Sequence, residues 1–308
     1  MGSGRWADSD YSSRRLMRAA SGVAAFATDA AIRSEARTTG KIKMHQSLDP
    51  KGVVRESRDS ADNPNSRAVA VLLDVTGSMR KVPEIIQQTL PGLMNGLNAA
   101  DCLGDPHVLV GAIGDYECDN VPLQIGQFEA DIRVENDLTN FFMEGGGGAN
   151  GYETYGLAMH FIGTRTSIDC FEKRGQKGYL FIIGDEPCER FVSGRDGIEK
   201  ILGKHPNNQG DFADVPIDRV VAKLKEQWEV FFVIPNMTSH YNSVTMRNGW
   251  KELIGGQNVI LLENPEHIVT LIANTIRLCE RGTALPRASG DDFVIIRDPA
   301  DMLGTSAA

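Results

Sequence analysis

The 308-residue sequence has no apolar run that approaches the roughly 20 residues needed for a membrane-spanning helix. Its first apolar stretch, Val23–Ala27, is short, mostly alanine and soon followed by Asp29. A signal-peptide core is longer and more strongly apolar than this. We therefore expect a cytoplasmic location and no membrane partner.

Paired cysteines and an excess of basic charge are also lacking. Five cysteines are scattered without a CxxC pair, and neither they nor the six histidines have the spacing of a zinc site. Such a set is typical of reduced thiols in the cytoplasm. The 32 Lys and Arg residues are outnumbered by 41 Asp and Glu, which gives a net charge of −9. Because nucleic-acid binding depends on neutralising phosphates, we expect no nucleic-acid partner.

The charge is unevenly distributed along the chain. Residues 1–66 hold 11 basic and 8 acidic residues, which leaves 21 basic and 33 acidic residues for the remainder. This asymmetry predicts a polar N-terminal arm over 1–66 that is partly disordered or helical, an acidic domain over 67–281, and a short C-terminal tail over 282–308. An alternative interpretation places a helix at Leu16–Ile32 and packs it against the domain.

From Arg67 onward, aliphatic runs alternate with segments of helical spacing. Runs that are apolar on both faces are typical of central parallel strands covered by helices, whereas the alternating pattern of Pro122–Phe128 indicates a half-exposed edge strand. The fold class that we predict is α/β: a doubly wound, mostly parallel six-stranded sheet flanked by helices, similar to a Rossmann fold. The predicted strands are Ala68–Leu73, Val108–Ile113, Pro122–Phe128, Gly178–Ile183, Val230–Ile234 and Val259–Leu262. The predicted helices are Val82–Asn98 with a kink at Pro91-Gly92, Ile132–Met143, Tyr155–Thr164, Ser167–Lys173, Ile217–Gln227, Ser243–Ile254 and Pro265–Arg281.

Asp74, Thr76 and Ser78 occupy alternate positions in the loop that follows the first long strand. In a doubly wound sheet, ligands bind beyond the carboxyl ends of the strands. A spacing of two lets three short oxygen side chains converge, and Gly77 permits the tight backbone. One carboxylate and two hydroxyls suit Mg²⁺ or Mn²⁺ better than zinc, which prefers nitrogen and sulfur. We predict a metal site here, in preference to the alternative that Ser78 or Asp74 only caps the next helix.

Further acidic residues follow other predicted strands. Asp185 could complete the charge around the cation, and Asp115 and Glu153 could accept hydrogen bonds behind the direct ligands. A glycine-rich loop, Gly145–Gly148, runs toward Glu153 and Thr154. No Gly-Lys-Ser/Thr follows these glycines, so the loop does not have the pattern of a phosphate-binding loop.

The runs VLLDVTGSM, GGGGANGYETYGLAM and FIIGDEP resemble the von Willebrand factor A domain and its metal-ion-dependent adhesion site, over roughly residues 67–281. The chain is also similar to intracellular bacterial and phage proteins that carry this domain. The resemblance implies that Asp74, Thr76, Ser78 and Asp185 hold the metal. Many members place a threonine directly after the glycines. Here Thr154 stands near the expected place, and Glu153 is the alternative oxygen donor.

What the resemblance implies is binding rather than catalysis. In this family the metal keeps one open coordination position, which an acidic side chain of a partner protein fills, and the partner is often a separately encoded ATPase or kinase. Two alternatives stay open. One is a haloacid-dehalogenase type of phosphotransferase, with Asp74 as nucleophile and Asp185 as magnesium ligand, although Thr76 stands where that family has a second acid. The other is a structural subunit with a degenerate metal site.

Overall fold

The structure, a computed structural model, describes residues 27–145, 152–207, 212–286 and 293–303, with positions 7, 9, 12, 13, 16 and 17 of the N-terminal segment. Its helices are α1 (Ala27–Thr39), α2 (Val82–Thr89), α3 (Leu93–Asn98), α4 (Arg133–Thr139), α5 (Tyr155–Thr164), α6 (Asp169–Arg174), α7 (Ile217–Gln227), α8 (Val244–Ile254) and α9 (Ile268–Glu280). A π-helical segment spans Gly194–Leu202. Within the described residues, no helix is both long enough and apolar enough to cross a membrane.

The strands of the described chain are β1 (Arg55–Ser57), β2 (Arg67–Asp74), β3 (Pro106–Ile113), β4 (Leu123–Ile125), β5 (Thr166–Ile168), β6 (Gly178–Ile183), β7 (Phe191–Val192), β8 (Val215–Pro216), β9 (Trp228–Pro235), β10 (Val259–Leu262) and β11 (Val294–Ile296). Seven of these strands form the central sheet, in the order β11-β10-β9-β6-β2-β3-β4, and only its β3–β4 pair is antiparallel. The mostly parallel α/β architecture is thus confirmed.

The predicted number of six strands is wrong by one. The segment over 282–308 that we assigned to the C-terminal tail contains β11, which pairs in parallel with β10 so that Val294 lies opposite Ile260. Three residues are too few to show a periodic hydrophobic pattern, so only the long-range pairing reveals this strand. The domain boundaries at residues 66 and 281 stay predictions.

The core consists of two apolar layers, one on each face of the sheet. Along β2, Val71 and Leu73 contact the layer that contains residues of α2, α3 and α9, whereas Ala70 and Leu72 contact the layer with α5, α7 and α8. Every residue of β2 is buried. The alternation of side chains along a strand therefore explains why Ala68–Leu73 is apolar at every position.

The edge strand β4 is buried, not half-exposed as predicted. The side-chain amide of Gln124 donates to the backbone oxygen of Phe142, and its oxygen accepts from the backbone N–H of Phe142, each at 2.9 Å. Ile42 and Met44 of the N-terminal arm in turn lie against the small cluster that includes Phe142. These contacts cover a face that the alternating sequence pattern had assigned to solvent.

Helix boundaries differ from the predictions at several points. A 3₁₀ turn at Leu90–Gly92 separates α2 from α3, where Pro91-Gly92 predicted a kink. The predicted helix Ser167–Lys173 begins as β5, whose partner is β1 in the N-terminal arm. Most of the segment Leu16–Ile32 lies outside the described residues, and the described helix α1 begins at Ala27.

Candidate metal centre

The carboxyl ends of three neighbouring parallel strands meet at one edge of the sheet. Asp74 ends β2, Asp115 follows β3, and Asp185 follows β6. All three residues are buried, and neither Asp74 nor Asp185 has any exposed surface. The sheet topology therefore places these residues together, as the pattern of strand ends predicted.

A chain of hydrogen bonds links the four residues predicted from the first and third loops. The backbone N–H and the hydroxyl of Thr76 both donate to Oδ1 of Asp74, at 2.9 and 2.6 Å. The oxygens of Thr76 and Ser78 lie 3.4 Å apart, and the Ser78 hydroxyl donates to Oδ1 of Asp185 at 2.6 Å. Two carboxylates and two hydroxyls thus converge, which is a donor set that suits a hard divalent cation.

The capping alternative for this loop is not supported. The residue at the cap position of α2 is Lys81, and no side chain makes a cap hydrogen bond there. The 3₁₀ turn at Gly77–Met79 likewise has no side-chain cap hydrogen bond. Asp74 accepts a hydrogen bond from Thr76, and Ser78 donates one to Asp185, so neither side chain is directed to the N-terminus of α2.

The second loop brings both of its candidate donors to the same edge. The hydroxyl oxygen of Thr154 accepts the backbone N–H of Tyr116 at 2.9 Å, which fixes Thr154 against the loop after β3. Glu153 is buried, and its Oε2 has no hydrogen-bond partner among the described residues. The segment from Gly146 to Gly148 lies outside the described residues. The choice between Thr154 and Glu153 as metal ligand stays a prediction.

The electrostatics of the centre favour a positive charge. Burial raises the pKa of Asp74, and the negative charge of Asp185 adds to this effect, while hydrogen bonds from Thr76 and Tyr155 oppose it. Burial and the charge of Asp74 also raise the pKa of Glu153. Within the described chain, no Lys or Arg forms an ion pair with either group. A bound cation would stabilise the ionised form of each carboxyl group that it contacts directly.

Asp115 is buried in the turn after β3. Its Oδ1 accepts the backbone N–H of Glu117 at 2.8 Å, and its own N–H donates to Asp119 at 2.8 Å. The charges of Asp115 and Asp119 both contribute to the raised pKa of Glu153, so this turn lies close to the centre. Its role behind the direct ligands stays a prediction.

Tyr155 is a residue of the centre that the sequence analysis missed. It is fully buried at the start of α5, its hydroxyl donates to Oδ2 of Asp74, and the N–H of Glu186 lies 3.4 Å from the same hydroxyl oxygen. The ring reaches this place only because residue 184 is glycine, since a Cβ there would overlap the hydroxyl of Tyr155. Tyr155 directly follows Thr154 in the sequence, and this was the one indication that it lies near the centre. The sequence does not show in which direction the ring of Tyr155 points.

Glu186 and His240 were also missed. Nδ1 of His240 lies 2.8 Å from a carboxylate oxygen of Glu186 and 3.5 Å from Oδ2 of Asp185. The backbone N–H of His240 donates to the same Oδ2 at 2.8 Å. These three side chains could together hold a cation with one nitrogen and two oxygen donors. His240 follows β9, the neighbour of β6, so applying the strand-end rule to one more strand would have found it.

Comparisons with known proteins give similarity to solved structures only. No protein-family model and no curated protein matches the chain. The pilus adhesin SpaC from Lactobacillus rhamnosus GG, in its open conformation, is similar with a TM-score of 0.47 and 12% identity, over 74% of this chain and 31% of that one. Proximal thread matrix protein 1 from the mussel byssus gives a TM-score of 0.43 and 12% identity, over 74% and 49%. A von Willebrand factor type A protein from Catenulispora acidiphila gives 0.39 and 13%, over 70% and 42%.

The chain thus spans about a third to a half of the length of these structures. At these scores the similarity supports no conclusion about function. Any such conclusion has to come from the residues of the metal centre.

Proposed function

We propose that this protein is a von Willebrand factor A-like interaction module in which bound Mg²⁺ or Mn²⁺ captures an acidic side chain of a partner protein. One observation carries the proposal: the carboxylates of Asp74 and Asp185 are fully buried at the carboxyl ends of two neighbouring strands, where the hydroxyls of Thr76 and Ser78 link them. Buried carboxylates without a balancing cation are costly, because each charge has lost its hydration. A divalent cation supplies the missing charge, and the ligands that we assign to it are Asp74, Thr76, Ser78, Asp185 and one residue of the second loop.

The identity of the second-loop ligand determines whether the metal-bound centre attracts or repels an acidic side chain of a partner. With Thr154 as the ligand, Glu153 keeps its proton, because burial and the charge of Asp74 raise its pKa. Asp74 and Asp185 then balance the charge of Mg²⁺, and the open coordination position accepts a carboxylate. With Glu153 as the ligand, a third carboxylate leaves the centre negative, so an acidic partner is repelled. The proposal therefore requires Thr154, whose hydroxyl oxygen uses one lone pair for the N–H of Tyr116 and keeps the other.

The partner that we propose is a protein presenting Asp or Glu in the cytoplasm, with a separately encoded ATPase or kinase as the first class to examine. The net charge of −9 supports a protein partner over a nucleic acid. The five cysteines all lie in the described part of the chain and are free thiols, which is consistent with a reducing compartment.

Calorimetric titration with Mg²⁺ and Mn²⁺ tests the metal centre. We expect saturable heat for the wild type and its loss in Asp74→Asn, which keeps the side-chain shape. Asp137→Asn is the matched control, because Asp137 is a buried carboxylate that accepts the N–H of Gln127 away from the centre. If the wild type gives no heat with either ion, the proposal fails and the structural-subunit alternative gains support.

Affinity capture from the native host, with Mg²⁺ and again with EDTA, tests the partner. We expect a partner that is retained with Mg²⁺, released by EDTA and not captured by Asp74→Asn. Thr154→Ala should weaken this capture, whereas Glu153→Gln should keep or strengthen it. A partner that survives both EDTA and Asp74→Asn would show that the metal centre is not the interface.

The geometry does not favour the phosphotransferase alternative. Both oxygens of Asp74 accept hydrogen bonds, from Thr76 and Tyr155, and the residue has no exposed surface. A nucleophilic carboxylate has to reach the phosphorus atom of its substrate. Hydrolysis of an aryl phosphate that disappears in Asp74→Asn would nevertheless establish this activity.

A further inference from the structure

A cavity of about 320 Å³ adjoins the metal centre on the side of the second loop. Its wall includes Thr154 and Glu153, so it is continuous with the proposed site of partner capture. Three aromatic side chains, Tyr116, Tyr152 and Phe191, form much of the remaining lining. A segment bound at the metal would therefore pass directly beside this cavity.

Two of these aromatic side chains are unusually accessible. Tyr152 is 45% exposed and Phe191 is 50% exposed, and they belong to the small set of large apolar side chains that the described residues leave exposed. Exposed apolar surface that gathers in one concave place is typical of a binding site rather than of ordinary surface. The cavity is thus suited to a side chain that packs against aromatic faces.

The charge of the cavity is predominantly negative. Among the described residues, Asp115, Glu117 and Glu189 line it, against a single basic residue, Arg190, which is exposed. Burial raises the pKa of Glu189 to about 7, so Asp115 and Glu117 supply most of the negative charge. Burial raises the pKa of Tyr116 to about 12, and the charges of these three carboxylates act on it in the same direction. A negative potential beside aromatic faces attracts a cation.

One carboxylate of the cavity is held in place by the start of α5. The backbone N–H of Leu157 donates to Oε1 of Glu189 at 3.2 Å. This approach requires glycine at position 156, because a Cβ there would lie 2.7 Å from the same oxygen. The negative wall is therefore preorganised, so little ordering is required when a ligand binds.

We propose that this cavity holds a basic side chain, arginine or lysine, from the same partner segment whose acidic side chain completes the metal centre. This inference rests on the proposed function, and it narrows the partner to one that presents an acidic and a basic side chain close together. The metal selects the acid, and the aromatic and carboxylate wall selects the base.

Small probes test the cavity without the metal. We would titrate the full chain with N-acetyl-arginine amide and N-acetyl-leucine amide, with Mg²⁺ and with EDTA, and follow amide shifts by NMR. The arginine probe should bind under both conditions, at least threefold more tightly than the leucine probe. Phe191→Ala should weaken its binding at least threefold, whereas Met237→Ala should not, since Met237 is equally exposed but lies outside the cavity. Equal binding of both probes, or no effect of Phe191→Ala, overturns the inference.

Short peptides with one Asp and one Arg, separated by zero to three glycines, test the connection to the metal. At least one spacing should bind more tightly with Mg²⁺ than with EDTA, and Asp74→Asn should remove this difference while leaving the binding of the arginine probe intact. If Mg²⁺ has no effect on any spacing, the proposed function fails although the cavity still binds a base. If replacing Arg by Leu in the peptide leaves the Mg²⁺-dependent binding unchanged, the inference fails and the proposed function stands.

Discussion

The hydroxyl of Tyr155 donates a hydrogen bond to Oδ2 of Asp74, while Thr76 donates to Oδ1 of the same carboxylate. Both oxygens of this buried group are thus oriented by the protein. Side chains that hold a metal ligand in one orientation raise metal affinity because less ordering is needed when the ion binds. The position of Tyr155 therefore bears on both the stability of the fold and the affinity of the proposed centre.

The first prediction concerns Tyr155→Phe. Loss of the hydroxyl leaves Oδ2 of Asp74 without its donor, which should lower the free energy of unfolding by about 1–3 kcal/mol and Mg²⁺ affinity by about tenfold. Urea unfolding and calorimetry measure the two effects. Tyr179→Phe is the matched control, because Tyr179 is also buried and donates to Glu280, but at the opposite end of the sheet. The prediction is wrong if the two variants lose Mg²⁺ affinity equally.

The second prediction concerns Gly184→Ala. An added Cβ would overlap the hydroxyl of Tyr155, so the ring has to move away from Asp74. We expect a loss of about 1–3 kcal/mol in unfolding free energy, typical of overpacking, together with a loss of Mg²⁺ affinity similar to that of Tyr155→Phe. Gly249→Ala is the control, because a Cβ at that position in α8 meets nothing within 4 Å. Replacing this helical glycine should be neutral or stabilise the protein by about 0.5–1 kcal/mol.

The double variant decides whether Gly184 acts through Tyr155. If it does, adding Gly184→Ala to Tyr155→Phe should reduce Mg²⁺ affinity little further, because the hydrogen bond is already gone. Additive losses in affinity would contradict this account.

The third prediction concerns the choice of metal at His240. His240→Ala removes the imidazole nitrogen near Asp185 but keeps the backbone N–H that donates to Oδ2. Since Mg²⁺ prefers oxygen ligands and Co²⁺ or Zn²⁺ accept imidazole, we expect Mg²⁺ affinity to be retained and Co²⁺ affinity to fall. Calorimetry gives the affinities, and the visible spectrum of bound Co²⁺ reports nitrogen coordination. An unchanged Co²⁺ spectrum in His240→Ala would show that the imidazole does not bind the ion.

The sequence was sufficient to predict that side chains converge where their placement depends on local spacing. Asp74, Thr76 and Ser78 lie within five positions of one another, and a buried aliphatic run shows that the loop follows a central strand. Asp185 follows a second such run, and parallel topology brings the two strand ends together. These inferences required no knowledge of side-chain direction.

The rest of the centre depends on contacts that no local pattern encodes. The ring of Tyr155 reaches Asp74 only because Gly184 leaves room for it, and His240 approaches Asp185 from the loop after another strand. The same limit applies to the fold. The edge strand β4 is buried because Gln124 pairs with the backbone of Phe142, a contact across 18 positions that gives no periodic signal.

The last prediction concerns the pH dependence of stability, through His160. Burial lowers the pKa of this residue to about 4, and the positive charges of Arg165 and His205 act in the same direction. Arg219 and Lys223 line the small cavity beside it, so its surroundings are basic. Because the folded-state pKa lies below the ordinary value of about 6.5, the unfolded chain binds the proton first as the pH falls. The imidazole therefore destabilises the fold progressively between about pH 6.5 and 4.

Replacing this histidine should remove that part of the pH dependence. We expect the unfolding free energy of His160→Gln, relative to wild type, to rise by about 3 kcal/mol as the pH falls from 7 to 4, measured by urea unfolding at each pH. His45→Gln is the control for the loss of one imidazole at an exposed position. Only the difference between variant and wild type is informative, because buried carboxyl groups such as Glu129, whose pKa burial raises to about 7, change stability in the opposite direction over the same range. A constant difference between His160→Gln and wild type across this range would show that His160 takes up its proton as readily in the folded protein as in the unfolded chain.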